Sequence, residues 1–66
     1  MEDLISVEVF CDKRLKRKEL FKGSHATENA FEFIEKQVRC GYYCVMSRLQ
    51  NGRAWCVADF KPKESI

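Results

Sequence analysis

Tyr42 to Lys61 reads YYCVMSRLQNGRAWCVADFK, and the fold turns on this stretch. Asn51-Gly52 sits between two alternating runs, and this dipeptide is the strongest short signal for a two-residue type I′ hairpin turn. Such a loop pairs Gln50 with Arg53, and the register follows from there: Leu49 with Ala54, Arg48 with Trp55, Ser47 with Cys56, Met46 with Val57. Continued without interruption it gives Val45 with Ala58, Cys44 with Asp59 and Tyr43 with Phe60. The side carrying Tyr43, Val45, Ser47, Leu49, Ala54, Cys56, Ala58 and Phe60 is small or apolar, as a helix-covered side should be. The other side carries Tyr42, Cys44, Met46, Arg48, Gln50, Arg53, Trp55, Val57, Asp59 and Lys61, and is expected to face solvent. Past Phe60 the chain turns polar, so residues 61–66 are expected to fray.

Upstream of the hairpin, Ser24 to Cys40 predicts a helix. Ala30, Phe31, Ile34 and Val38 form an apolar stripe at helical spacing, with Phe33 on its border. Ser24 or Thr27 can cap the start, and Glu28 suits the positive end of the helix dipole. Glu32–Lys36 and Glu35–Arg39 are i,i+4 pairs in the favourable order. Gly41 stands where a C′ glycine is expected. At the front of the chain, Leu4 to Cys11 alternates as a strand, with Ile5, Val7, Val9 and Cys11 on one face and Leu4, Ser6, Glu8 and Phe10 on the other. Asp12 to Gly23 predicts a turn near residues 12–14 and a second strand near 16–22. A flexible basic loop is the alternative, because the adjacent Leu20 and Phe21 break the alternation.

The layout is therefore β-β-α-β-β, a single α+β domain over residues 1–66 with one helix on an antiparallel sheet of three to four strands. A chain of 66 residues has no room for a second domain or a deep enclosed active site. Hydrophobic residues at 45% and charged residues at 33% exclude general disorder, and twelve basic against ten acidic side chains identify no partner class by balance alone.

Met1-Glu2-Asp3 does not open a signal peptide, and no apolar run approaches the roughly 18 residues a membrane span needs. A cytoplasmic location, no membrane contact and reduced thiols are the expectation. Of the four cysteines, Cys40 and Cys44 form one C-x3-C pair, whereas structural zinc usually takes two such knuckles. No metal or cofactor is implied, and Cys11 and Cys56 read as small core residues. His25 has no cysteine at a spacing that suggests catalysis. With no paired carboxylates, phosphate loop or nucleophile elbow either, the chain does not read as an enzyme.

Two binding surfaces are expected. Trp55, Arg48, Tyr42 and Met46, with Arg53 and Phe10 nearby, have the composition of a protein interface: aromatic area plus arginines able to form charge-assisted hydrogen bonds. The alternative is RNA or DNA binding through Lys13, Arg14, Lys16, Arg17, Lys18 and Lys22, part of a segment with a local net of +4. The plainer role for those cations is to keep an edge strand from pairing. A third reading joins the two, with the basic segment docking onto an acidic or nucleic-acid-binding region of a protein target, and a homodimer through the open sheet face or an unpaired edge strand is a further expectation. Compact, charged, single-helix chains of this size resemble the short accessory proteins of phages and other mobile elements, including inhibitors of bacterial defence systems. The likeness is one of size and layout, with no motif behind it.

Overall fold

A computed structural model describes residues 4–62; the tail expected to fray lies outside them from residue 63 on. Strands β1 (Leu4–Cys11) and β2 (Arg14–Lys22), helix α1 (Ala26–Arg39), and strands β3 (Tyr43–Gln50) and β4 (Arg53–Phe60) follow in chain order. They build a four-stranded antiparallel sheet in the order β2-β1-β3-β4. The fold is the expected single-helix α+β domain. No helix among the described residues is long and apolar enough to cross a membrane.

Both hairpins turn on two residues held at positive φ. Asn51 (51°) and Gly52 (74°) make the expected connection, and Asp12 (52°) and Lys13 (67°) make an equivalent one between β1 and β2. The primed turn matches the twist of its flanking strands, which is why the basic segment becomes a strand and not a loop. Helix α1 ends in a Schellman motif. Gly41, at φ 91°, donates its N–H to the Val38 carbonyl at 3.0 Å, and Tyr42 donates to the Gln37 carbonyl at 3.1 Å. Its start differs from expectation. His25 holds the N-cap position without a side-chain cap bond, so neither Ser24 nor Thr27 caps it.

The core lies on one side of the sheet. Ile5, Val7 and Val9 of β1, Cys44 and Met46 of β3, and Ala26, Ala30 and Ile34 of α1 are buried, flanked by half-buried Phe21, Phe33, Val38, Tyr42 and Phe60. This reverses the expected facing of β3. Antiparallel partners share a face, and β1 pairs Val7 with Met46 and Val9 with Cys44, so the valines carry those two residues under the helix. Tyr43, Val45, Ser47 and Leu49 face away. The expected β3–β4 register holds from Gln50↔Arg53 to Ser47↔Cys56 and then slips by one. A bulge at Val57 sets Met46 opposite Ala58 and Cys44 opposite Phe60. One extra residue on a strand swaps the face of everything beyond it, which delivers Phe60 to the helix side.

The cysteine expectations reverse for the same reason. Cys44 is the core cysteine, and burial pushes its thiol pKa up. Cys11 and Cys56 are exposed, as is Cys40.

Candidate protein-interaction site

Helix α1 packs over β1, β3 and β2, and only its edge reaches toward β4. Four strands spaced about 4.8 Å apart make a sheet roughly 19 Å wide, whereas a helix with its side chains is about 10–12 Å across. One helix cannot roof such a sheet, and β4 is left as an uncovered ledge. A groove runs between the ledge and the helix. At the hairpin end it forms a hollow of about 170 Å³ lined by Ile5, Thr27, Phe31, Met46, Arg48 and Val57. At the other end a hollow of about 560 Å³ is lined by Ile34, Glu35, Val38, Arg39, Gly41 and Phe60. Phe31 and Phe60 meet edge-to-face at 5.9 Å and form the divide between them.

Three large apolar side chains stand open on this side of the sheet: Val57 at 58% exposure and Phe31 at 47%, both lining the smaller hollow, and Trp55 at 47%. Trp55 and its cross-strand partner Arg48 lie on the helix side, since Arg48 also pairs with Ile5. Arg53 follows at the hairpin tip, exposed. These three expected interface residues are therefore brought together. The other three are dispersed. Met46 is in the core at 2% exposure and offers no surface, because the valines of β1 draw it under the helix. Tyr42 sits at the far end of the sheet, where Lys16 lies 3.9 Å over its ring and donates a hydrogen bond to its hydroxyl. Phe10 is on the opposite face, 5.9 Å from Tyr43. Val57 and Phe31 are the contributors that sequence reasoning did not single out. Phe31 was legible within the helix stripe, but the bulge at Val57 has no local signature.

The basic segment is divided by strand alternation. Arg17 turns to the helix side, where it bonds Glu19 at 2.6 Å and lies 5.6 Å from the centre of the Phe33 ring. Lys16 is held by Tyr42 on that side too. Lys18 and Lys22 pair with Glu8 and Leu4 and so face the other way. Lys13, in the turn, lines a hollow with Phe10 and Tyr43, and Asp12 shares that hollow. Arg14, at the start of β2, is exposed. The six cations therefore form no continuous track on one face.

The open face, opposite the helix, is a grid set by the registers. Its rows are Lys22–Leu4–Leu49–Ala54, Leu20–Ser6–Ser47–Cys56, Lys18–Glu8–Val45–Asp59 and Leu15–Phe10–Tyr43. Leu15 and Leu20 are 54% and 58% exposed, whereas Ser6 and Ser47 lie buried at its centre. Tyr43 donates its hydroxyl to Asp59 Oδ2 at 2.9 Å, and this bond to a carboxylate, with some burial, raises the phenol pKa above its ordinary value.

Among the described residues no cluster of three or more histidine, cysteine, aspartate or glutamate side chains could hold a metal ion. No family model, curated protein or solved structure matches the chain. The geometry must carry the functional reading.

Proposed function

We propose that this chain is a small non-catalytic protein-binding module, accessory or inhibitory in kind, that acts by occupying a surface on a larger protein. The reading rests on one observation: Val57 and Phe31 stand exposed in a hollow between α1 and β4, and Trp55 stands exposed on the same side of β4, across from Arg48 of that hollow. Contiguous apolar surface of this sort is characteristic of interaction sites, and tryptophan is the residue most enriched among binding hot spots. A sheet half roofed by one helix is complemented by a second helix. The fitting partner element is amphipathic, with its apolar stripe laid along Trp55, Val57 and Phe60. At 1.5 Å per residue, about 18 residues would match a ledge of eight-residue strand length.

The test is capture of partner proteins on the tagged full chain, with and without nuclease, repeated with Trp55→Ala and Val57→Ser. The expected result is a stoichiometric protein retained after nuclease and lost with either variant, while far-UV circular dichroism and the melting temperature stay close to the parent. Capture that survives both substitutions would refute the site. An eluate of nucleic acid, emptied by nuclease and by salt, would transfer the function to Lys13, Arg14, Lys16, Arg17, Lys18 and Lys22.

A further inference from the structure

The groove leaves the opposite face of the sheet unexplained. An antiparallel sheet with one solvated face normally alternates apolar-in and polar-out. Here the outer face is apolar at both ends of the grid, with Leu20 and Leu15 more than half exposed. The charges on that face are sorted across the sheet: Lys18 and Lys22 are on β2, and the carboxylates Glu8 and Asp59 are on β1 and β4.

We infer that this face is the interface of a symmetric homodimer, two copies stacked sheet-on-sheet about a two-fold axis parallel to the strands. Such an axis lays β2 over the second copy's β4 and β1 over its β3, keeping each row of the grid opposite itself. Lys18 then meets Asp59 of the second copy, twice by symmetry. Leu4 meets Leu49, Ser6 meets Ser47, Phe10 meets Tyr43, and Glu8, beside Lys18 in its own copy, meets Val45. The protruding Leu20 meets Cys56, a small side chain. The other in-plane axis, across the strands, would set β2 over β2 with the rows reversed, placing Lys18 on Leu20 and Asp59 on Cys56 with no opposite charge across the interface, so charge selects the first. Isologous contact of this kind is the commonest way for a soluble chain to close an assembly.

The area is sufficient. Strands of about eight residues at ~3.4 Å rise, four abreast at ~4.8 Å, give a face on the order of 500 Å² per copy. Two such faces reach about 1,000 Å², where specific interfaces begin. Sheets stacked with a relative rotation of about 30° keep the long lysine side chains within reach of their carboxylates.

Symmetry also supplies the test. Lys18→Asp alone sets carboxylate against carboxylate in its homodimer, and Asp59→Lys alone sets amine against amine. A mixed dimer of the two single variants restores both pairs. Sedimentation velocity and native mass spectrometry on the full chain at low salt should find the parent dimeric and each single variant about tenfold weaker in self-association. The equimolar mixture should return to dimer with the mixed mass dominant. A monomeric parent, or a mixture no more associated than its components, would overturn the inference. Because each variant is its partner's rescue, loss of folding cannot imitate the expected result. The outcome is also independent of the groove, whose residues are unchanged.

Discussion

Met46 and Val45 are chain neighbours on opposite faces of β3, and exchanging their roles is the simplest way to test the fold. Met46 is 2% exposed and lies in the core with Val7 and Ile34. Met46→Ala removes the γ-carbon, the sulfur and the terminal methyl. At about 0.8 kcal/mol for each buried group the lost transfer energy is about 2.4 kcal/mol. The space left unfilled adds about 1 kcal/mol more, for a total near 3.5 kcal/mol. A domain of 66 residues has roughly 3–10 kcal/mol in all, so the variant should be close to unfolding at room temperature. Val45→Ala, at a half-exposed position on the outer face, should cost about 1 kcal/mol or less. Urea titration at low protein concentration, followed by far-UV circular dichroism, gives both values from the midpoints at constant slope. If Val45→Ala proved as costly as Met46→Ala, β3 would be facing the other way, and both interaction surfaces would have to be reassigned.

The remaining predictions concern the titrating side chains. Of the four cysteines, Cys11, Cys40 and Cys56 are exposed and should react rapidly with a thiol reagent, whereas Cys44 should react only as fast as the domain opens. Peptide mapping of a timed alkylation reads this directly, and rapid labelling of Cys44 would refute its burial. The Tyr43 phenol should ionise above its usual range, and Asp59→Ala should bring it down. Because the folded pKa is the higher one, the stabilisation is complete below the unfolded value near 10 and is lost as pH rises through the folded value. Ultraviolet titration of phenolate in the parent and in Asp59→Ala measures the shift, and identical curves would exclude the bond to Asp59.

Element order, both turn positions and the glycine after the helix were readable because each depends on local chemistry. Asn51-Gly52 tolerates positive φ, Gly41 supplies the left-handed residue a Schellman motif requires, and Ala30, Ile34 and Val38 keep helical spacing. The facing of β3 was not readable. Both of its alternating sets are apolar enough to be buried, and only pairing with β1, about forty residues away in sequence, decides between them. The Val57 bulge was invisible for a related reason. Nothing in Trp55-Cys56-Val57-Ala58 marks an extra residue, and it is the contact of Phe60 with Phe31 at the edge of α1 that offsets the irregularity. The interaction site inherits both errors: Trp55, Arg48 and Arg53 stayed together because they lie on the turn side of the bulge. Met46, Tyr42 and Phe10 were dispersed by the change of facing and by their distance along the sheet.

The strand order has a consequence for how the chain reaches its native state. Each hairpin closes through a two-residue turn, an event that takes on the order of 1–10 µs, yet a lone hairpin in water is marginal at best. The contacts that make the core belong to neither hairpin, because β1 from the first and β3 from the second are the adjacent central strands. Their pairing, Leu4 against Leu49 through Phe10 against Tyr43, brings together one strand from each hairpin with β2 and α1 lying between them in sequence. Loop closure over that span comes before its reward in buried area, so docking of the two halves should set the folding rate. Zippering within either half should not. The molecule should therefore fold as one cooperative unit, and cutting it at Gly41 should yield two fragments that acquire structure only on recombination.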